Sequence, residues 1–180
     1  RRKVLVDGVL IDIDYTHLMP EYKRAFPLYD QFLPTLVRYL PSNSLVIEVG
    51  ANVGYAAISM AQSNEYLSYV VYEADHDTFE LLEKNVSSLE RVNSKVKVKA
   101  HKQFIGSEID NVGLERYSGS NHAVLDGGDI RSKSLSASID ELGLDATNLS
   151  LLVTDVDGFD WDVIRSATKH LNHNPYIYFE

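Results

Sequence analysis

From residue 45 onward the chain alternates short apolar runs with segments of helical or alanine-rich character, and this alternation constrains the fold more than any other feature. Parallel strands need a crossover connection, usually a helix, so the alternation predicts βαβ units and a parallel sheet covered on both faces. We therefore expect an α/β domain. The predicted strands are Leu45–Val49, 69–72, 149–153 and Tyr176–Phe179, with another around Val96 and Val98.

The residues before position 45 predict an antiparallel hairpin and a helix. Asp7-Gly8 joins two alternating apolar runs across residues 3–14, which is the strongest short signal for a two-residue hairpin turn. Apolar residues at helical spacing from Tyr29 to Leu40 predict a helix in which Pro34 either lies in the first turn or causes a kink, while residues 15–27 are expected to be irregular. We expect one domain, in which residues 1–44 extend the part formed by residues 45–180.

Helices are also expected between the later strands. Residues 53–62 are rich in alanine, and Asp77-Thr78-Phe79-Glu80 matches a capping box at the start of the next helix. Residues 139–142 predict a short helical turn, and the apolar spacing from Trp161 to Leu171 predicts a last helix. The polar, glycine-rich residues 106–134 carry no pattern that assigns them.

Two glycines and an asparagine follow the first of these strands, within VIEVGANVGY at residues 46–55. Gly50 permits a tight turn, and Gly54 lets the next helix and a ligand come close because it has no Cβ. Ligands of open parallel sheets bind beyond the carboxyl ends of the strands. Glu73 ends the next predicted strand, 19 residues after Gly54, where an acidic side chain accepts hydrogen bonds from ribose hydroxyls. The pattern predicts a nucleoside site.

Two common nucleotide sites do not fit this turn. The nicotinamide-dinucleotide fingerprint requires a glycine where this chain has Asn52. A phosphate-binding loop of the Walker type requires Gly-Lys-Ser/Thr, which does not occur in the sequence.

The segments VIEVGANVGY, VYEADHDTFELLEKNV, SIDEL and LLVTDVDGFDWDVIRSA resemble, in this order, the successive motifs of the FkbM family of class I S-adenosylmethionine-dependent methyltransferases. The resemblance covers roughly residues 45–180, about three quarters of the chain. It implies a Rossmann-like class I methyltransferase sheet, mostly parallel with helices on both faces. Such sheets normally end with two more strands after the position of YIYFE, so we expect this chain to be truncated at its C-terminus.

The resemblance also implies a site for S-adenosylmethionine across residues 50–54, with its ribose on Glu73. Glu48 would contact the methionine amino group or fix the turn, and Ser107 would lie where the adenine edge is read. Tyr55 could instead pack in the core, and Asp75 could simply precede a helix. The expected cofactor-binding residues are Glu48, Gly50, Ala51, Asn52, Gly54, Tyr55, Glu73, Ala74, Asp75, Ser107 and Asp155.

The acidic loop, residues 155–160 with the sequence DVDGFD, follows another predicted strand end. Methyl transfer to a hydroxyl requires alignment of the acceptor and benefits from a base. Asp155 or Asp157 could be that base, could orient the acceptor, could bind Mg²⁺, or could only cap the next helix and satisfy the loop. Asp160 is expected as the N-cap of the next helix. His122 is a further candidate base.

The same motifs depart from the FkbM pattern at two points. The family commonly has lysine before the first aspartate of the acidic loop, where this chain has Thr154, and it often has glutamate at Asp157 and Asp160. The second change keeps the carboxylate, whereas the first leaves any role of the lysine in doubt.

Charge and composition narrow the partners. The formal net charge is −9 and no long basic run occurs, which argues against a nucleic-acid surface because phosphate binding needs clustered cations. No apolar stretch approaches the roughly 20 residues that span a bilayer. Cysteine is absent, so disulfides and thiolate metal sites are excluded, and a cytoplasmic protein is the default expectation.

The leading hypothesis is an enzyme that O-methylates a small-molecule or glycan acceptor, within polysaccharide biosynthesis as the resemblance implies. The alternative is a non-catalytic methyltransferase-like scaffold domain of a larger polysaccharide-biosynthesis protein. The sequence does not fix the acceptor or the oligomeric state.

Overall fold

The computed structural model describes residues 1–28, 31–108, 110–117, 120–124 and 127–179. Within them the strands are β1 (Arg2–Val6), β2 (Val9–Ile13), β3 (Leu45–Val49), β4 (Ser68–Glu73), β5 (Lys97–Lys102), β6 (Gly113–Tyr117), β7 (Ser120–Val124), β8 (Leu149–Thr154) and β9 (Tyr176–Phe179). The α-helices are α1 (Met19–Ala25), α2 (Phe32–Leu36), α3 (Tyr55–Ser63), α4 (His76–Val92), α5 (Leu135–Glu141) and α6 (Asp160–Ser166). Short 3₁₀ turns cover Val37–Tyr39, Ala146–Asn148 and Thr168–His170.

A five-stranded parallel sheet forms the centre, in the order β5-β4-β3-β8-β9. The chain passes from β3 to β4 and β5 on one side and then returns to β8 and β9 on the other. The strand order therefore reverses between β3 and β8, and in open sheets of this kind ligands bind beyond the carboxyl ends of the strands at that point. This sheet confirms the predicted α/β class.

Both faces of the sheet are covered, as predicted. Alternate residues of β3 point to opposite faces, so Val46 joins the core cluster that contains α3, α4 and the N-terminal hairpin, whereas Ile47 joins the cluster that contains α5 and α6. Fully burying one such side chain stabilises the fold by about 1.5–3 kcal/mol before entropic costs.

The N-terminal hairpin forms as predicted, with Asp7 and Gly8 in the left-handed conformation that a type I′ turn requires. Its inner face packs on α4, and the buried Asn85 of α4 fixes it in place. The Asn85 Oδ1 accepts from the Asp12 N–H at 2.7 Å, while its Nδ2 donates to the carbonyls of Asp12 at 2.9 Å and Val53 at 2.8 Å. One side chain thus ties the hairpin to the residues that follow β3.

The prediction that residues 15–27 are irregular is wrong, because α1 lies within them. This helix buries only Met19 and begins with Pro20 in its first turn, so it carries no apolar periodicity to indicate it. The helix predicted from Tyr29 to Leu40 is present as α2 and a 3₁₀ turn, with Pro34 in the first turn. Tyr29 and Glu180 lie outside the described residues.

Two further local predictions need correction, and one unassigned segment contains strands. The N-cap of α4 is Asp75 rather than Asp77, because the Asp75 carboxylate accepts from the Thr78 N–H at 2.9 Å. The unassigned residues 106–134 contain the antiparallel pair β6 and β7, whose polar composition hides the alternation of a strand. Trp161 is 58% exposed, and Val163 takes the core position of α6 instead.

Candidate functional site

The glycine turn, which we define as residues 50–54, connects β3 to α3 and is bound to the neighbouring strand. The backbone N–H groups of Gly50 and Ala51 both donate to the Tyr72 carbonyl of β4, at 3.0 and 2.9 Å. Gly50, Asn52 and Gly54 all have left-handed backbone conformations. The predicted tight turn is therefore present.

The protein's own atoms account for the absence of side chains at the two glycines. A Cβ at Gly50 would lie 2.0 Å from the Asp155 carbonyl oxygen, and one at Gly54 would lie 2.8 Å from the Leu82 Cδ1 of α4. Gly50 therefore lets the ends of β3 and β8 meet, and the Asp155 N–H completes this junction by donating to the Val49 carbonyl at 3.0 Å.

Glu73 ends β4 beside the glycine turn and is bonded directly to it. Its Oε2 accepts from the Asn52 N–H at 3.0 Å, and its Oε1 accepts from the Asp75 N–H at 2.9 Å. Burial raises the pKa of the Glu73 carboxyl, although these backbone donors act in the opposite direction. A carboxylate has about four acceptor positions, and the backbone N–H groups of Asn52, Asp75 and Ala74 act on this one, so at least one position remains to accept a ligand hydroxyl.

Glu48 lies inside the sheet rather than at its edge. It is 4% exposed and stands between Val71 of β4 and Val153 of β8, on the face that carries α3 and α4. Burying an ionised carboxylate is costly unless it is compensated. Its two predicted roles, contact with the methionine amino group and fixing of the turn, stay predictions.

Asn52 is held by both its backbone and its side chain. Its Oδ1 accepts from the Val53 N–H at 2.8 Å and from the His17 Nε2 at 3.2 Å. The His17 Nδ1 accepts from the Met19 N–H at 3.2 Å. His17 is therefore engaged through both ring nitrogens, which is an arrangement for holding structure rather than for accepting a proton from substrate.

Tyr55 opens α3 and is partly buried against the core. The Lys23 ammonium of α1 lies 4.0 Å from the centre of its ring, a cation–π contact. The core-packing alternative for Tyr55 is therefore at least partly correct.

The acidic loop places its carboxylates in two different environments. Asp155 and Asp157 are exposed, and Asp157 and Gly158 form a tight turn with left-handed backbones. Asp160 is buried instead, and its Oδ1 accepts from the Thr154 hydroxyl at 2.9 Å and the Val156 N–H at 3.3 Å. The predicted N-cap role is wrong, because Phe159 is the N-cap of α6 and Asp160 is its first residue.

Ala74 and Asp75 border a cavity of about 470 Å³ beyond the ends of β4 and β5, lined also by Phe104 and by residues of the 112–130 segment. Its volume is within the range of small-ligand pockets. Ser107 is not among the residues that line this cavity. Its hydroxyl donates instead to Asp162 of α6 at 3.0 Å.

Of the other histidines, His122 lies in β7 opposite Glu115, and its side chain is outside the part of the molecule that is described. His101 is in β5 with its ring centre 5.6 Å from that of Tyr72. Burial, with Lys99 nearby, lowers the pKa of His101. Among the side chains described, no three of His, Asp or Glu are placed to share a metal ion.

Two contacts of the site were not predicted. One is the bond between His17 and Asn52, and the other is the edge-to-face packing of Phe104 on Phe159, with ring centres 5.7 Å apart, which joins the segment after β5 to the acidic loop. The partners are 35 and 55 residues apart in the chain, and no local pattern indicates such pairs.

The chain has no match among family models or among curated proteins. Several solved structures are similar to it in fold. They include a precorrin-6y C5,15-methyltransferase from Geobacter metallireducens (9% identity, TM-score 0.54) and a methyltransferase FkbM from Methylobacillus flagellatus (12% identity, TM-score 0.54). A methyltransferase from Geobacter sulfurreducens is 18% identical, with a TM-score of 0.50.

The matches cover 83%, 92% and 95% of this chain, and 60%, 51% and 72% of those three proteins, respectively. The chain thus spans little more than half the length of the first two. At these identities the matches show the fold alone, which is Rossmann-like. Within the described residues, no helix has the length and apolar character to cross a membrane.

Proposed function

We propose that this chain binds S-adenosylmethionine across the glycine turn and transfers its methyl group to a hydroxyl of a small-molecule or glycan acceptor. The observation that carries the proposal is the bond between the Glu73 carboxylate and the Asn52 N–H. It joins an acidic strand end and a glycine turn into one unit at the sheet edge where nucleosides bind in doubly wound folds.

The residues present fit the three parts of the cofactor. Glu73 would accept bonds from the ribose hydroxyls through its remaining acceptor positions. The cavity beside Ala74 and Asp75 would take the adenine, and the main chain from Gly50 to Gly54, with Glu48 beneath it, would hold the methionine end. Tyr55 would close the turn at the start of α3. Ser107, bonded to α6, would act only from the edge of this site.

The cofactor supplies an electrophilic methyl group on a sulfonium. The acceptor must then be aligned with that methyl, and its hydroxyl proton must be removed. Asp155 and Asp157 are exposed carboxylates next to the turn and are assigned these two tasks, with His122 as the other candidate base. Asp160 is assigned a structural role, because Thr154 and the acidic loop use its carboxylate.

The resemblance of the four sequence segments to FkbM methyltransferases supports membership of that family and a sugar or polysaccharide acceptor. The net charge of −9 agrees with a neutral or cationic acceptor better than with a nucleic acid. A cytoplasmic setting, where the cofactor is made available, is part of the same proposal.

Calorimetric titration with S-adenosylmethionine and S-adenosylhomocysteine tests cofactor binding. Both should bind, and Glu73→Ala should weaken binding about 10- to 100-fold, since hydrogen bonds to a charged group contribute about 1.5–3 kcal/mol each. Glu83→Ala is the control, because Glu83 is an exposed acid of α4 away from the turn. A wild-type chain that binds neither ligand would support the scaffold alternative.

Transfer of labelled methyl groups to a panel of glycans, with and without EDTA, tests the reaction. Asp157→Asn should lower kcat while cofactor affinity stays within a few-fold of wild type, whereas Asp155→Asn, at a residue also predicted to contact the cofactor, should lower both. Loss of cofactor affinity in either variant, with kcat unchanged, would contradict the assignment to the acceptor.

A further inference from the structure

We infer that His17, which precedes α1 in the N-terminal extension, is a positioning residue that holds the glycine turn in its cofactor-binding shape through Asn52. This inference rests on the proposed function for its consequence, because the turn is the proposed cofactor site. The positioning role itself is argued from contacts among the described residues.

The contacts fix which atoms of His17 carry the proton. The Asn52 Oδ1 already accepts from the Val53 N–H, which sets the orientation of the amide, so the facing His17 Nε2 must be the donor. On the other side of the ring, Nδ1 accepts from the Met19 N–H and is therefore unprotonated. Both neighbours select the neutral imidazole protonated at Nε2.

Asn52 is a residue whose conformation needs support. Its φ of 50° lies in the left-handed region, which residues other than glycine adopt less often, asparagine among the more tolerant of them. The two donors on its Oδ1 hold the side chain over the turn, and the same residue presents its N–H to Glu73. His17 is thus one residue removed from the carboxylate that would bind ribose.

His17 is itself held in position by the hairpin. The Arg2 guanidinium donates to the His17 carbonyl and to both oxygens of Glu21, at 3.2 and 3.0 Å. A cavity of about 210 Å³ is bordered by His17, Asn52 and the start of α4. The contacts of Arg2 therefore fix the part of the extension that reaches the glycine turn.

Burial favours the neutral ring of His17. Burial lowers the pKa of His17, and Arg2 acts in the same direction, whereas the Asn52 bond and the carboxylates of Asp14 and Glu21 oppose it. Arg1 and Asp77 face the same cavity with opposite charges. The Nε2-protonated neutral form is accordingly kept at neutral pH.

Two substitutions separate the two ring nitrogens. In His17→Gln the amide N–H group can reach the place of Nε2 and donate to Asn52, whereas in His17→Asn the side-chain oxygen can replace Nδ1 for Met19 but the amide is too short to reach Asn52. Two quantities are measured on the full chain. One is the NMR exchange rate of the backbone amide hydrogen of Asn52, which donates to Glu73, and the other is the affinity for S-adenosylhomocysteine, measured by titration.

We expect His17→Asn to raise the exchange rate of the Asn52 amide and to weaken S-adenosylhomocysteine binding, each about 3- to 10-fold, as for the loss of one hydrogen bond. His17→Gln should stay within twofold of wild type in both. A merely structural role would lower the melting temperature of both variants alike without this split. In an Asn52→Gly background, which tolerates the same φ, replacing His17 should change the affinity no further.

The exchange rate and the ligand affinity distinguish failure of the proposed function from failure of the positioning role. If the wild type does not bind S-adenosylhomocysteine but the exchange rate responds as expected, the proposed function fails and the positioning role stands. If the exchange rate of Asn52 is the same in wild type and His17→Asn, the inference is overturned whatever the ligand does.

Discussion

Replacing Gly50 by alanine tests the junction on which the candidate site is built. The new Cβ would lie 2.0 Å from the Asp155 carbonyl oxygen and 3.0 Å from the Val156 Cγ1. The first neighbour is main chain, and it is fixed because the Asp155 N–H is bonded to Val49. Neither side can yield without breaking the sheet at its carboxyl edge.

The expected cost has two parts. Alanine at a φ of 88° costs about 1–2 kcal/mol, and forcing an extra methyl group into a packed junction costs about 1–3 kcal/mol. Gly50→Ala should therefore lower the free energy of unfolding by about 2–5 kcal/mol. That is a large part of the 5–15 kcal/mol typical of a domain.

Gly143→Ala is the matched control, because Gly143 also has a left-handed backbone, at a φ of 61°, but nothing lies within 4 Å of its added Cβ. It should lose only the conformational part, about 1–2 kcal/mol. Urea unfolding followed by circular dichroism measures both variants. Equal losses in the two would refute the close approach of Asp155 to Gly50.

Three other outcomes follow from buried polar groups. Asn85→Asp would turn a carboxylate toward the carbonyls of Asp12 and Val53, so the variant should lose about 3–5 kcal/mol at pH 8 and less at pH 5, by urea unfolding. Burial acts to raise the pKa of Asp12, but two lysine ammonium groups outweigh it and lower the pKa. The wild type should therefore lose stability as pH falls through the lowered pKa, and Asp12→Asn should show a smaller loss across that range in thermal melts. Thr154→Val removes the hydroxyl donor of Asp160 and should cost about 1.5–3 kcal/mol in the same assay, whereas an unchanged stability would mean that this bond contributes nothing.

The hairpin and the central sheet were predictable because short patterns in the sequence indicate them. An Asp-Gly pair between alternating runs specifies a hairpin, and apolar runs separated by helical segments specify a parallel sheet. The starts and ends of β3 and β9 agree with the prediction to the residue. The sheet order followed only from the structure, since several orders satisfy the same alternation.

The sequence indicated which residues form the candidate site better than it indicated which of them contact each other. The spacing of Glu73 after the glycine turn indicated that the two meet, and the structure shows a direct bond between Glu73 and Asn52. Sequence alone did not indicate why Gly50 lacks a side chain, because its neighbour Asp155 is 105 positions away in the chain. The contact of His17 with Asn52 was missed for the same reason, and α1 was missed because it buries too little to leave a pattern.

The most direct test of the account is a crystal structure of this chain with S-adenosylhomocysteine. We predict that the nucleoside lies across the glycine turn, with its ribose hydroxyls within hydrogen-bond distance of the Glu73 carboxylate and its adenine beside Asp75. A ligand bound elsewhere, or a ribose with no contact to Glu73, would contradict the account.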